Sequence, residues 1–186
     1  MPRIGIIVGS ASSKSINRAV AATFPSLVQG EDVEFVPISI ADLPIYSPDY
    51  DGAYPAAALE WKQSIEDVDG IIILTPEYLR SVPGVLKNAL EWAARPWGTN
   101  SFAGKPVAVM GVSVGAIGTA AAQQHLRAIL GHLDTLTMGQ PETFLQYRPT
   151  SFSADGEIID DSTRAVLTQF VEAAVAHVSR HALVTA

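Results

Sequence analysis

The stretch IIILTPEYLRSVPGVLKN, residues 71 to 88, contains the two patterns that decide the fold. Its apolar run stops at Thr75-Pro76, which predicts a strand over Gly70 to Thr75. A helix is predicted from Pro83 to Ala94, because proline fits the first turn, where its missing N–H needs no partner. A strand that is apolar at every position is buried on both faces, as in a parallel sheet whose strands are joined by helices.

The same unit, a short apolar strand followed by a helix, recurs along the chain. Strands are predicted at Ile4–Val8, Val33–Ile38, Gly70–Thr75, Pro106–Val112 and Leu133–Met138, and helices at Ile16–Val28, Pro55–Asp67, Pro83–Ala94, Ala116–Gly131 and Asp161–His181. Five such repeats predict an α/β fold with a doubly wound, five-stranded parallel sheet of the flavodoxin-like kind and helices on both faces. Residues 140–160 are the one long irregular stretch, interpreted as a covering loop or a subunit contact.

The composition is that of one globular domain spanning residues 1–186. The chain is 48% hydrophobic and 17% charged, its formal net charge is -7, and it has no cysteine. The negative charge argues against nucleic acid as a partner, and the lack of cysteine excludes disulfides, thiol nucleophiles and cysteine-ligated zinc. The sequence shows neither a signal-peptide pattern nor an apolar run of the roughly 18 residues that a membrane span needs. We therefore expect a cytoplasmic protein with no membrane partner.

The loop after the first strand is rich in groups that bind phosphate. Between Gly9 and Arg18 it carries four serines, an asparagine and two cations, next to the start of a helix. The spacing fits neither a dinucleotide fingerprint, since only Gly9 is present, nor a P-loop, since Lys14 stands at the second glycine. A terminal monophosphate fits better than a pyrophosphate or a triphosphate. The alternative is a serine-rich turn that only caps the helix.

Two further loops follow the third and fourth strands. Pro76 to Leu79 can present main-chain groups to the edge of a flat heterocycle, although Glu77 could be a solvated acid and Tyr78 a packing residue. After the fourth strand, Ser113 is a candidate donor and Gly115 permits close approach of the backbone to a ligand. A tight loop explains that glycine almost as well. In a doubly wound sheet these loops share one rim, and together they outline a flavin mononucleotide.

The chain resembles the NADPH-dependent FMN reductase family from residue 3 to about 180. The resemblance is carried by Gly9-Ser10, Ser15-Ile16-Asn17-Arg18, Thr75-Pro76-Glu77-Tyr78, Ser81-Val82-Pro83-Gly84-Val85-Leu86-Lys87-Asn88-Ala89, Ala103-Gly104-Lys105-Pro106 and Gln124-His125-Leu126-Arg127. It implies that the FMN phosphate is held by Ser10, Ser12, Ser15 and Asn17, with Arg18 in the same motif. It also implies that Pro76, Glu77, Tyr78 and Leu79 line one edge of the flavin ring, and Ser113, Val114 and Gly115 the other. Family members are dimers or pairs of dimers.

The chain departs from the family pattern at two positions. The family usually has Gly-Ser-Leu-Arg in the first loop, whereas here Ser12 stands in place of the arginine and Lys14 can substitute as a point charge. The family usually has asparagine after Pro-Glu-Tyr, whereas here Leu79 is followed by Arg80, which puts a cation at the mouth of the pocket.

The resemblance implies an NAD(P)H-dependent oxidoreductase that contains FMN. NADPH or NADH would give a hydride to the flavin, which would pass electrons to a quinone, azo, nitroaromatic or metal-oxyanion acceptor. Since the cofactor carries this chemistry, no catalytic side chain is expected. We also expect a homodimer or homotetramer and no metal site, with His177 and His181 as helix-end residues. Two alternatives are a flavodoxin-type carrier that docks protein partners without oxidising NAD(P)H, and a member that has lost flavin binding.

Overall fold

A computed structural model describes residues 1–28, 30, 32–153 and 156–182, and its centre is a parallel sheet. The strands are β1 (Arg3–Val8), β2 (Glu34–Ile38), β3 (Gly70–Leu74), β4 (Pro106–Ser113), β5 (Leu136–Thr137) and β6 (Thr143–Gln146). Their order is β2-β1-β3-β4, with β5 and β6 both paired to β4. The helices are α1 (Ile16–Ala22), α2 (Phe24–Leu27), α3 (Ala56–Glu66), α4 (Gly84–Ala94), α5 (Ala120–His132) and α6 (Asp161–Ala182). The predicted flavodoxin-like α/β fold is confirmed.

Helices cover both faces of the sheet, as the continuously apolar strands predict. Ile72 and Leu74 of β3 pack in a buried cluster with residues of α1, α2 and α6, whereas Ile71 and Ile73 pack in a second cluster with residues of α3, α4 and α5. Because successive side chains of a strand point to opposite faces, a strand between two such layers is apolar throughout. The sequence pattern of residues 71–74 therefore has a direct structural cause.

The fifth position of the sheet is split between two short strands, where the sequence predicts one strand. β5 pairs with Pro106 and Val107 at the start of β4, and β6 pairs with Met110 to Ser113 at its end. Pro141 lies between the two strands and has no N–H for a ladder. Residues 140–160, predicted to be irregular, thus contain β6.

Two predicted helices also differ from the structure. The predicted helix over Ile16–Val28 is two helices separated at Thr23, because Pro25 cannot donate to the carbonyl one turn before it. The helix predicted from Ala116 begins instead at Ala120, because Gly118 and Thr119 have positive φ values of 59° and 70°. Left-handed residues cannot continue a right-handed helix.

Gly111 of β4 allows the following loop to fold back onto the sheet. A Cβ at Gly111 would lie 2.0 Å from Thr119 Oγ1 and 2.3 Å from the Thr75 carbonyl oxygen. Both distances are too short for any side chain, and the Thr75 oxygen belongs to the main chain. The close approach of the loops after β3 and β4 therefore depends on a glycine at this position.

We expect Gly111→Ala to lower the free energy of unfolding by about 1–3 kcal/mol, the usual range for overpacking. Gly131→Ala is the matched control, because Gly131 lies in α5 with no atom near its missing Cβ. Alanine there should raise stability by about 0.5–1 kcal/mol. Urea unfolding of both variants measures the difference, and equal midpoints would contradict the role given to Gly111.

Candidate functional site

The three predicted site loops lie side by side at one edge of the sheet. Val8 at the end of β1 pairs with Leu74 of β3, and Leu74 pairs with Met110 of β4. β2 lies on one side of β1 and β3 on the other, so the order of the strands reverses there. Ligands of doubly wound sheets bind at this point, beyond the carboxyl ends of the strands.

The first loop is folded by hydrogen bonds to its own serines. The Ser12 N–H donates to Ser10 Oγ (3.3 Å), the Lys14 N–H to Ser12 Oγ (3.2 Å) and the Arg18 N–H to Ser15 Oγ (3.3 Å). Each hydroxyl thus accepts a bond, and none of the three donates one to the residues that the structure describes. A serine hydroxyl also carries one proton. The loop therefore keeps three O–H donors for an anion.

Arg18 braces this loop. Its Nη1 donates to the Ser12 carbonyl (2.8 Å) and its Nη2 to the Ser10 carbonyl (3.2 Å). The guanidinium lies next to the serines and fixes the path of the main chain. Arg18 thus supplies a cation close to Ser12, where the family usually has an arginine.

The side chain of Asn17 is hydrogen-bonded to β4. Its side chain is buried, its Nδ2 donates to the Val112 carbonyl (2.9 Å), and its Oδ1 accepts the Val112 N–H (2.9 Å). The pairing of β3 with β4 ends at Met110. Beyond that residue, the Asn17 amide takes the place of β3 as the hydrogen-bond partner of β4. Because both polar atoms of the side chain bond to Val112, only the main-chain N–H of Asn17 remains to bind the phosphate as predicted.

Glu77, in the loop after β3, is held by the start of α5. The Ala122 N–H donates to Glu77 Oε2 (3.1 Å), and Arg80 Nη1 donates to Glu77 Oε1 (3.3 Å). The Glu77 side chain is only 10% exposed, so it is not a solvated acid. A carboxylate at the first turn of a helix satisfies a free N–H and interacts well with the helix dipole.

The residues after Glu77 form a tight turn. The N–H and carbonyl of Tyr78 bond to the carbonyl and N–H of Ser81, at 3.1 and 3.0 Å. The two central residues, Leu79 and Arg80, have φ values of 51° and 63°. Such turns normally contain asparagine or glycine, and left-handed φ costs other residues about 1–2 kcal/mol each. His125 Nδ1 lies 3.0 Å from Ser81 Oγ and attaches the turn to α5.

The loop after β4 is held from its other side. Ser113 Oγ donates to the Gly115 carbonyl (3.0 Å), and Gln146 Nε2 donates to the Val114 carbonyl (3.2 Å). Val114 is 74% exposed. Around Gly115, the nearest atom to a Cβ would be Ser113 Oγ at 3.6 Å. Packing within the chain therefore does not require glycine at position 115, and the space beside it is open.

Pro76, which is buried, connects β3 to this rim. The structure thus brings all twelve predicted cofactor residues to one edge of the sheet, at the ends of β1, β3 and β4: Ser10, Ser12, Ser15, Asn17, Arg18, Pro76, Glu77, Tyr78, Leu79, Ser113, Val114 and Gly115. The sequence did not identify the partners Val112, Ala122 and His125. Three loop hydroxyls next to two further loops with exposed main chain and apolar side chains are suited to a phosphate joined to a flat ring.

Comparison with known proteins identifies the family. The sequence profile of the NADPH-dependent FMN reductases matches residues 2–149. The chain belongs to this family. It is 46% identical over 170 residues to a 2-hydroxy-1,4-benzoquinone reductase from Burkholderia sp, covering 91% of this chain and 92% of the relative. It is 38% identical over 169 residues to an NAD(P)H-dependent FMN reductase from Pseudomonas aeruginosa, covering 90% of each chain.

A solved structure of the same kind agrees closely with the fold. The flavoenzyme NAD(P)H:(acceptor) oxidoreductase FerB from Paracoccus denitrificans superposes with a TM-score of 0.91 at 39% identity. The superposition covers 97% of this chain and 99% of FerB. The FMN reductase fold therefore extends along nearly the whole chain, beyond the residues that the family profile matches.

Neither a membrane-spanning helix nor a cluster of metal ligands occurs among the described residues of this family member. No helix within the described residues is long and apolar enough to cross a membrane. The described His, Asp and Glu residues form no group of three that could hold a metal ion. His177 and His181 have ring centroids 4.5 Å apart, but His177 Nε2 lies 2.7 Å from the Leu136 carbonyl. Burial lowers the pKa of His177. When Nε2 carries the proton that is donated to that carbonyl, this nitrogen cannot coordinate a metal ion.

We expect Asn17→Ala to lower the stability of the flavin-free protein by about 1–3 kcal/mol, because it leaves the Val112 N–H and carbonyl without partners. Asn17→Asp keeps the acceptor and loses the donor. Protonation of the new carboxyl would restore a donor, so the deficit of Asn17→Asp relative to the natural chain should shrink on acidification, whereas that of Asn17→Ala should not. Urea titrations at several pH values measure both. Parallel pH curves for the two variants would argue against the bond to Val112.

Proposed function

We propose that the chain binds FMN at this rim, oxidises NADH or NADPH, and passes the electrons to a small-molecule acceptor such as a quinone. The observation that carries the proposal is the set of three uncommitted hydroxyls, on Ser10, Ser12 and Ser15, beside two adjacent loops. Membership of the FMN reductase family supports the same cofactor and electron donor. Azo, nitroaromatic and metal-oxyanion acceptors belong to the same proposal.

The hydroxyls would donate to the phosphate oxygens, and the Arg18 guanidinium would balance part of the phosphate charge. The main chain of Pro76 to Leu79 would border one edge of the ring, and Ser113 to Gly115 the other. FMN, when bound, supplies the chemistry by accepting a hydride and releasing its electrons to an acceptor. The residues of the chain bind and orient, so no catalytic side chain is proposed.

The alternative is a flavodoxin-type carrier that binds FMN but docks protein partners without oxidising NAD(P)H. The comparisons favour the reductase, because the relatives that cover most of the chain are named as FMN reductases and quinone reductases. The two functions differ in one property, which is direct oxidation of a pyridine nucleotide.

A homodimer or homotetramer in the cytoplasm is part of the proposal. An apolar groove of about 640 Å³ lies between α4 and α5, with Leu90, Ala94, Ile129 and Leu133 among its lining residues. Trp97, just beyond α4, is 84% exposed. An apolar groove and an exposed tryptophan beside α4 are features of protein–protein contacts, which supports self-association through α4 and α5. The cytoplasm supplies the nicotinamide nucleotide that the reaction consumes.

We expect FMN to bind at least about 100-fold more tightly than riboflavin, because charge-assisted hydrogen bonds contribute roughly 1.5–3 kcal/mol each. Ser12→Ala should weaken FMN binding about 10-fold and leave riboflavin binding unchanged, because riboflavin lacks the phosphate. Quenching of flavin fluorescence measures both affinities. Equal losses for the two ligands would place the phosphate away from Ser12.

Steady-state oxidation of NADH and NADPH by the FMN-loaded protein, with 1,4-benzoquinone as acceptor, tests the function itself. We expect turnover with at least one nucleotide and a hydroquinone as product. FMN-loaded protein that oxidises neither nucleotide, yet exchanges electrons with a protein partner, would establish the carrier function. Protein that binds no FMN would overturn both.

A further inference from the structure

Arg80 presents a positive charge on the loop after β3, at the rim of the candidate site. Its Nη1 lies 3.3 Å from Glu77 Oε1, yet the two side chains differ in exposure, with 69% for Arg80 and 10% for Glu77. The Glu77 carboxylate also accepts the Ala122 N–H and so faces the protein. From the solvent side, the guanidinium is therefore the accessible part of this ion pair.

The position of this charge is fixed by the turn that carries it. Two main-chain bonds join Tyr78 to Ser81, and Ser81 is attached to His125 of α5. Both central residues are non-glycine residues with left-handed φ, a conformation that costs stability and that is concentrated at ligand sites. The turn thus holds Arg80 at one place on the rim instead of letting a mobile loop carry it.

The loops that carry Arg80 and its neighbour on the rim expose several hydrophobic side chains. Leu79 is fully exposed and Tyr78 is 53% exposed, and on the loop after the neighbouring strand Val114 and Ile117 are 74% and 47% exposed. A cation beside exposed apolar side chains matches a flat, largely apolar molecule with one negative charge. A small inorganic oxyanion would leave the apolar side chains uncovered, and a neutral quinone would leave the solvent-facing side of the guanidinium, away from Glu77, without an anionic partner.

The overall charge of the chain gives a local cation added importance for an anionic substrate. The formal net charge is -7, so the field of the protein repels anions, and only a local positive group offsets that repulsion at the site. Arginine is suited to the task, since its planar fork can bond two oxygens of one delocalised anion.

Building on the proposed function, we propose that the preferred acceptor is an anionic hydroxyquinone and that Arg80 is the residue that selects it. A hydroxyl on a quinone ring is a vinylogous carboxylic acid, so it is ionised at neutral pH and its charge is shared between two oxygens. The name of the Burkholderia relative, a 2-hydroxy-1,4-benzoquinone reductase, agrees with an acceptor of this class.

The reaction balances without any further reagent. One NAD(P)H supplies a hydride, which is two electrons and one proton, and water supplies two protons to the hydroxyquinone anion. The products are NAD(P)⁺ and a neutral trihydroxybenzene. Reduction therefore removes the negative charge that Arg80 recognises, which weakens the hold on the product and favours its release.

The test compares 2-hydroxy-1,4-benzoquinone with neutral 1,4-benzoquinone on FMN-loaded protein. The natural chain should prefer the anion, and in Arg80→Gln the ratio of the two kcat/KM values should fall roughly 10- to 100-fold, mainly through the KM for the anion. Arg80→Lys should recover part of the ratio. Calorimetric titration of 2-hydroxy-1,4-benzoquinone, without NAD(P)H, should show the same loss of affinity in Arg80→Gln.

Arg180→Gln is the matched control. Arg180 is an exposed arginine near the end of α6, two residues after Val178, which packs beside Gly70 at the opposite edge of the sheet. Its replacement changes the net charge by the same amount and should leave the ratio of the two quinones unchanged. An equal fall in both variants would reduce the effect to net charge and overturn the proposal.

Three other results would also overturn it. An equal loss for both quinones in Arg80→Gln would give Arg80 a structural role. A raised KM for NADPH alone, with NADH and both quinones unaffected, would assign Arg80 to the 2′-phosphate of the nucleotide. Equal calorimetric affinities of the natural chain and Arg80→Gln for the anion would show that Arg80 does not recognise it. By contrast, loss of all NAD(P)H oxidation in the natural chain would refute the proposed function, and the calorimetric comparison would still decide the role of Arg80.

Discussion

β4 extends beyond the end of β3, and its last main-chain groups on that side need partners that no strand of the described residues provides. A buried N–H or carbonyl without a hydrogen bond costs about 1–3 kcal/mol. The chain meets this need with the amide of Asn17, which bonds both groups of Val112 across 95 residues of sequence. The same contact fixes the start of α1 against the end of β4. The first and third loops of the site are thereby held in one frame by a single side chain.

The middle loop is attached by a different device. Glu77 bonds the first turn of α5, and the turn that follows it is fastened through Arg80 to Glu77 and through Ser81 to His125. All three loops are thus positioned by side chains that bond elsewhere in the protein, through contacts made within the chain itself. Where a cofactor performs the reaction, such preorganisation is the main contribution of the protein.

The sequence predicted the fold because its apolar pattern follows directly from burial. A strand between two helical layers must be apolar at each position. Residues 71–74 meet this requirement within four consecutive positions, so it is visible in the sequence. The predicted helix and strand bounds were wrong where one or two residues with special backbone geometry interrupt the hydrophobic pattern. Pro25 divides the first helix, Gly118 and Thr119 delay α5, and Pro141 separates β5 from β6. Each is a backbone effect that a pattern of hydrophobic residues does not contain.

The meeting of the three candidate loops at one edge of the sheet was predictable, but the contacts that hold them there were not. Parallel strands bring their carboxyl ends to one edge, so neighbouring loops can be inferred from strand order. The partners of Asn17 and Glu77 lie 95 and 45 residues away, and no local spacing encodes such pairs. Polar side chains that look like ligand donors in the sequence can therefore be structural, and Asn17 illustrates this because its amide is bound to Val112.

Selectivity in an enzyme of this design has to come from the rim. A reduced flavin in an open slot can give electrons to many acceptors, so the flavin itself discriminates weakly between them. What differs from one protein to the next is the surface that an acceptor meets on its way to the ring. In the proposed site that surface would include Leu79 and Arg80, in a turn whose geometry favours asparagine or glycine. Left-handed φ is unfavourable for both residues. Beyond the bond of Arg80 to Glu77, we therefore attribute their presence to what they offer to an acceptor, a charge with an apolar neighbour.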